Sequence, residues 1–401
     1  MLNEFFEIQK NITSAINVDF KRYLYDKIDW SPRLFALVGP RGVGKTTLLL
    51  QNYKEHFKSP EECLYLSADN VRVAALGLYN TAVEFFKYGG KVLIVDEVHK
   101  YPDWTKEIKS IYDSFPRSKI VLSGSSRLSI IKGKGDLSRR ILFYELKGLS
   151  FREFLELETK AKYPALSLNE ILKDHVRIAG AICGKIRVLK YFKEYLRNGY
   201  YPFFLEGKEH YEERLNNVFE KTLYEDIPTL FGLKASSVPA LKKLVYLVAT
   251  SPPFTPNIEK ISSQIGISRE YVYHYIDFLE KAGIFSLVYP DKGGFKLIRK
   301  AHKIYPENPN LFNAIIGKEG WKEEEGAVRE AFFVNQLKGI KKIFTSDRGD
   351  FLVDEKYIFE IGGKNKDFSQ IGTGKNAFIA ADGIELGDRQ KIPLWLMGFL
   401  Y

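Results

Sequence analysis

Five short apolar runs punctuate the first third of the chain: RLFALV (33–38), CLYLSA (63–68), KVLIVD (91–96), KIVLSG (119–124) and ILFYEL (141–146). Between them apolar positions recur at helical spacing, as in AVEFFKYG and WTKEIKSIYDSF. Apolar runs of this length bounded by turn residues fit strands buried on both faces, and their alternation with helices predicts a covered parallel sheet. After residue 146 this rhythm gives way to helical patterns. LKKLVYLVA, IEKISSQIG and SREYVYHYIDFLEKAG then read as three helices, with Gly266 at a turn and Ser268 as an N-cap, and FSLVYPDKGGFKLIRKAHKIY reads as two strands around an Asp-Lys-Gly-Gly turn. That order is a winged helix. EEGAVREAFFVNQLKG follows as an amphipathic helix, and KIFTS, DFLV and KYIFEIG follow as strands. The expected fold class is α/β, in segments 1–150, 151–235, 236–303 and 304–401.

Composition narrows the class. With 401 residues, 45% apolar and 14% aromatic, the chain can build two or three cored domains. No apolar run approaches the ~18 residues of a spanning helix, and MLNEFFEIQKN lacks the core of a signal peptide, so a cytoplasmic protein without a membrane partner is expected. Cys63 and Cys183 are the only cysteines, which argues against a disulfide framework or structural zinc. The net charge of +10 fits either an anionic partner such as nucleic acid or a solvated lysine-rich surface.

The chemistry concentrates at the first strand-to-helix turn, LVGPRGVGKTTLLL (37–50). Gly39, Gly44, Lys45 and Thr46 take the fixed places of G-x-x-x-x-G-K-[ST]. Glycines allow backbone N–H groups to face one anion, Lys45 can reach outer phosphates, and the Thr46 hydroxyl suits Mg²⁺. The expected ATP cradle is Gly39, Pro40, Arg41, Gly42, Val43, Gly44, Lys45, Thr46 and Thr47. In KVLIVDE, Asp96 ends a strand where it can hold Mg²⁺ together with Thr46, and Glu97 follows as base or orienter of water. CLYLSA is expected as the strand intervening between these two motif strands. KIVLSGSSRLSI offers Ser125, ahead of Ser123, to position the attacking water, and Arg139 and Arg140 are candidates to act on a neighbouring subunit's nucleotide.

RYLYDKIDW (22–30), GPRGVGKTT, IVDEVHKYPDW (94–104), VLSGSS (121–126), LSRR (137–140) and LKGLSFREFLEL (146–157) together resemble a family of archaeal and bacterial AAA+ ATPases. The resemblance spans essentially the whole chain. It implies a P-loop NTPase sheet with Walker A and Walker B motifs, a helical lid, a winged helix, and a C-terminal domain of unknown function related to restriction endonucleases. EYLRNGYYPFFLEG (194–207) resembles that family's turn after the lid helices. Arg140 matches the family's arginine, while the glycine before it is replaced by Arg139.

The same resemblance places Glu330, Asp350 and Glu360 at the metal carboxylates of a nuclease core. A working core of that kind wants Glu-x-Lys, but position 362 is Gly362. Lys364 lies on the same strand face about 13 Å from Glu360 at ~3.3 Å per residue, unless Gly362-Gly363 bulges. In the winged helix, Lys292, Lys296, Arg299, Lys300 and Lys303 make the wing basic, as phosphate contacts require, whereas Arg269 is the recognition helix's only arginine. Duplex DNA, a protein partner and a second copy of the chain all stand as partners. The function expected is an ATP-binding, ATP-hydrolysing protein whose nucleotide state moves the winged helix and C-terminal domain. The alternatives are an ATP-gated DNA nuclease and a nucleotide-binding scaffold with little turnover.

Overall fold

The computed structural model describes residues 2–125, 137, 139–251, 256–291, 303–316, 325–372 and 374–401. It divides into two units, residues 1–148 and residues 149–401.

The first unit is built on a five-stranded sheet of β1 (Leu34–Val38), β2 (Cys63–Ser67), β3 (Val92–Asp96), β4 (Lys119–Gly124) and β5 (Leu142–Glu145), in the order β2-β3-β4-β1-β5. Every pairing is parallel. Its helices are α1 (Leu2–Ser14), α2 (Lys45–His56), α3 (Val71–Leu76), α4 (Leu78–Lys87) and α5 (Trp104–Ser114). All five residues of β1 and of β3 are buried, which explains their unbroken apolar runs. Alternate strand residues Leu34, Ala36, Leu64, Leu66, Leu93, Val95, Ile120 and Leu122 share one core with Ala82, Phe85, Ile108 and Ile111 from the helices. One expectation is corrected. The strand lying between β1 and β3 is β4, whereas β2, the CLYLSA strand, is the outermost strand beyond β3. The carboxyl ends of β1, β3 and β4 therefore lie side by side.

The second unit opens with α6 (Phe151–Thr159), α7 (Leu168–Cys183), α8 (Val188–Asn198), α9 (Tyr211–Lys221) and α10 (Ile227–Phe231). Two capping boxes, Ser150 with Glu153 and Ser167 with Glu170, start α6 and α7 by satisfying N–H groups that a helix leaves open. Next come α11 (Val238–Ala249), α12 (Ile258–Ile265) and α13 (Arg269–Lys281). Gly266 ends α12 in the left-handed region at φ 79°, and the Ser268 hydroxyl caps α13 by accepting from the Tyr271 N–H.

Strands β6 (Phe285–Pro290) and β7 (Lys303–Pro306) then pair antiparallel, with Val288 opposite Lys303. After α14 (Pro309–Ile316) and α15 (Glu325–Leu337) come β8 (Ile343–Thr345), β9 (Phe351–Val353), β10 (Tyr357–Gly362), β11 (Ala377–Ala381) and β12 (Lys391–Pro393). These strands and the β6–β7 pair form one sheet, ordered β12-β11-β10-β9-β8-β6-β7. The join is a parallel pairing of β6 with β8, Tyr289 opposite Phe344. Three helices and an antiparallel pair thus do follow one another, and the pair is continuous with the C-terminal strands.

Candidate functional site

The loop after β1 turns on three glycines with positive φ: Gly39 (154°), Gly42 (79°) and Gly44 (94°). At Gly39 a β-carbon would stand 2.1 Å from the Leu146 carbonyl oxygen, so a side chain is excluded by the neighbouring backbone as well as by conformation. Gly44 is the N-cap of α2 and supplies no side-chain cap. The first N–H groups of a helix have no intrahelical partner, so this end of α2 offers donors and the positive end of its dipole to an anion.

Lys45 is buried, and its ammonium donates to the Gly39 and Pro40 carbonyl oxygens at 2.9 and 3.1 Å. Its Nζ stands 4.0 Å from Glu97 Oε1. Val43 is fully buried, and its carbonyl accepts from Arg22 Nη1 at 2.5 Å. The Arg22 guanidinium also donates to the Lys147 and Gly148 carbonyls, each at 2.8 Å, and so ties the loop to the chain beyond β5. Thr47 is exposed on the first turn of α2.

Asp96 organises the floor of the site. Its Oδ2 accepts from the Thr46 hydroxyl at 2.6 Å and the Tyr65 hydroxyl at 2.8 Å; its Oδ1 accepts from the Ser123 hydroxyl and, at 3.1 Å, from the Glu97 N–H. Burial, followed by the charge of Asp96, pushes the Tyr65 hydroxyl pKa far up, so this phenol is a fixed donor. Glu97 sits in the left-handed region at φ 51°. Its Oε2 is buried and accepts no hydrogen bond among the described residues, with His99 Nε2 at 3.6 Å and Arg41 Nη1 at 3.8 Å. His99 Nε2 is also 3.3 Å from Ser125 Oγ.

The structure thus gathers Gly39, Lys45, Thr46, Asp96 and Glu97, and places the two candidate serines differently. Ser123 touches Asp96; Ser125 reaches Glu97 through His99. Arg140 lies 3.2 Å from Asp113, and its guanidinium stands over the Tyr112 ring. Tyr65, Arg22 and His99 join the site although no motif marks them as site residues. Tyr65 is embedded in an apolar strand run, and the bonds of Tyr65 to Asp96, Arg22 to Val43 and His99 to Ser125 join residues remote in sequence.

A second cluster occupies the C-terminal sheet. Lys303, expected on the wing as a DNA contact, is instead turned inward, because its Nζ lies 2.9 Å from Glu330 Oε2 and 3.1 Å from Asp350 Oδ1. Burial alone would lower its pKa; the charges of Glu330 and Asp350 outweigh that and raise it. The Tyr305 hydroxyl donates to the same Glu330 oxygen at 2.6 Å, and the Ile361 N–H donates to Asp350 Oδ2 at 2.8 Å. The lysine at Glu360 is Lys366, with Nζ 2.5 Å from Oε1, and not Lys364. The chain doubles back at Gly363, whose carbonyl accepts from the Lys366 N–H, and this returns Lys366 to the strand it has just left. Arg269, at the start of α13, pairs with Glu259 on the surface at 2.8 Å. Lys292, Lys296, Arg299 and Lys300 lie outside the described residues.

Residues 31–155 match a protein family described as AAA domain, and residues 189–322 match a domain of unknown function. An uncharacterized protein of Methanocaldococcus jannaschii is 28% identical over 420 residues, covering 95% of this chain and 88% of its own. Among solved structures, AMPPCP-bound DnaA from Aquifex aeolicus is 16% identical, covering 69% of this chain and 88% of that one, at a TM-score of 0.28. Replication initiator DnaA bound to AMPPCP and single-stranded DNA is also 16% identical, covering 68% of this chain and 86% of that one, at 0.27. These TM-scores are too low to describe a shared overall arrangement. Residues 31–155 thus resemble an AAA domain, and they carry a G-x-x-x-x-G-K-[ST] loop on a parallel sheet. No helix among the described residues is long and apolar enough to cross a membrane.

Proposed function

We propose that residues 1–148 bind ATP with Mg²⁺ and hydrolyse it. One observation supports this above the others: the Thr46 hydroxyl and the Asp96 carboxylate meet at 2.6 Å, directly beneath a glycine loop and beside a glutamate with an oxygen unclaimed by any hydrogen bond among the described residues. Hard oxygen donors of this kind suit Mg²⁺, and the buried Glu97 Oε2 beside them has no hydrogen-bond partner among the described residues. The residues therefore fit the group.

Thr46 and Asp96 would hold the metal, which when bound supplies charge neutralisation on the phosphates. Lys45 and the N–H groups at the start of α2 hold the phosphate oxygens. Glu97, kept close to Asp96 by the strand end, accepts a proton from water or orients it. Ser123 fixes Asp96, and Ser125 with His99 fixes the far side of Glu97. The second unit is read as the body that responds to nucleotide, through a winged-helix order of three helices and a strand pair, with duplex DNA as the partner that the basic segment 292–300 would meet.

The experiment is a paired measurement of nucleotide affinity and phosphate release. Lys45→Ala is expected to lose ATP binding, whereas Glu97→Gln keeps binding and loses turnover by on the order of 10²-fold or more. Unchanged turnover in Glu97→Gln would remove Glu97 from the chemistry, and unchanged binding in Lys45→Ala would remove the loop.

A further inference from the structure

The carboxylate cluster of the second unit has the composition of a cation site. Glu330 from α15, Asp350 before β9 and Glu360 within β10 converge there. Burial, and then the charge of Asp350, raises the pKa of Glu330; Glu360 is raised mainly by burial. Carboxylates forced together in this way either keep a proton or share a cation.

The chain itself supplies that charge. One atom, Lys303 Nζ, stands at 2.9 and 3.1 Å from oxygens of two different carboxylates, a position equidistant between them such as a bridging cation would take. Lys366 Nζ sits on Glu360. The Tyr305 hydroxyl adds a second donor to the Glu330 oxygen that Lys303 holds, and the Ile361 N–H engages the other Asp350 oxygen. Among the described residues no three His, Cys, Asp or Glu side chains are arranged to hold a metal ion.

We infer that the Lys303 ammonium is the resident cation of this cluster, so that the natural protein takes no divalent metal there. The nuclease-like carboxylates then serve a structural end. They anchor the first residue of β7, and with it the return strand of the β6–β7 pair, against α15 and the approach to β9. A metal-dependent phosphodiester cleavage at Glu330, Asp350 and Glu360 does not fit this arrangement.

The test uses the full chain, free of nucleotide, with Mn²⁺ as probe. In EDTA, Lys303→Met should lower the melting transition of the second unit by roughly 6 to 20 °C, the effect of leaving buried carboxylates without their partner. Adding Mn²⁺ at ~100 times its dissociation constant should return roughly 5 to 10 °C to this variant and less to the natural protein. Electron paramagnetic resonance should count one more bound Mn²⁺ per chain in the variant than in the natural protein. The double variant Lys303→Met/Glu330→Gln, which also removes a negative charge, should melt above the single variant in EDTA, and it serves if the single variant folds poorly. Equal Mn²⁺ uptake by natural protein and Lys303→Met overturns the inference. So does a single variant as stable in EDTA as the natural protein, one that Mn²⁺ fails to rescue, or a double variant melting no higher than the single.

Discussion

The Tyr65 hydroxyl donates to Asp96 Oδ2 at 2.8 Å, on the same oxygen that receives the Thr46 hydroxyl. A residue in the middle of a buried strand thereby holds the carboxylate on which the proposed metal site depends. Tyr65→Phe keeps the ring and removes only this donor. It should cost about 1–3 kcal/mol of stability, because the charged acceptor stays buried with one partner fewer. It should also weaken the Mg²⁺ dependence of ATP binding. Chemical denaturation and a Mg²⁺ titration of nucleotide affinity check the two effects, and an unaltered titration would show that Asp96 holds its place without the phenol.

His99 stands between Ser125 Oγ at 3.3 Å and Glu97 Oε2 at 3.6 Å. Its expected role is to fix the glutamate and not to touch nucleotide. His99→Ala should therefore reduce kcat roughly 10- to 100-fold with little change in KM, the size expected when a catalytic group is left to wander. His99→Gln, which retains an N–H donor, should recover part of the loss. A fall in ATP affinity equal to the fall in rate would instead place His99 among the binding groups.

Acidity should affect the second unit through Glu330. Its carboxyl pKa is raised in the folded state, so the folded protein holds a proton that the unfolded chain has released. Stability from this group is present below the unfolded carboxylate pKa and is lost as pH rises through the folded one. Lys303 works at the other end of the scale. Its pKa is also raised, so its contribution persists from acid pH until deprotonation in the alkaline range. Asp350, Glu360, Lys366 and Tyr305 complete the charged and titratable surroundings. Glu330→Gln should flatten the acid-side slope in denaturation curves collected between about pH 4 and pH 7. A slope unchanged in the variant would move the effect to another group.

The strands of the first unit were legible because burial on both faces writes a continuous apolar run. CLYLSA, KVLIVD and KIVLSG appear as β2, β3 and β4 within a residue of the expected bounds. Gly266 and Ser268 were legible because capping is local chemistry. The lateral order of strands was not, since nothing within CLYLSA records that it pairs with β3 alone. The same limit hid the partners of Lys303 and the return of Lys366. An extended strand puts Lys364 on the face of Glu360, but the turn at Gly363 reverses the chain and substitutes a residue two places on. Pairing across 27 and 47 residues, as between Lys303 and its two carboxylates, leaves no periodic trace.

The place of β6 has a bearing on how this chain can be divided. It is hydrogen-bonded to β7 on one side and to β8 on the other, so the strand pair that closes the three-helix segment is also the rim on which the C-terminal strands continue. A protease nick or a gene boundary near residue 303 would expose raw sheet edge on both fragments and invite aggregation rather than release two bodies. Exchange of parts between relatives would have to carry residues 149–401 as a single inheritance.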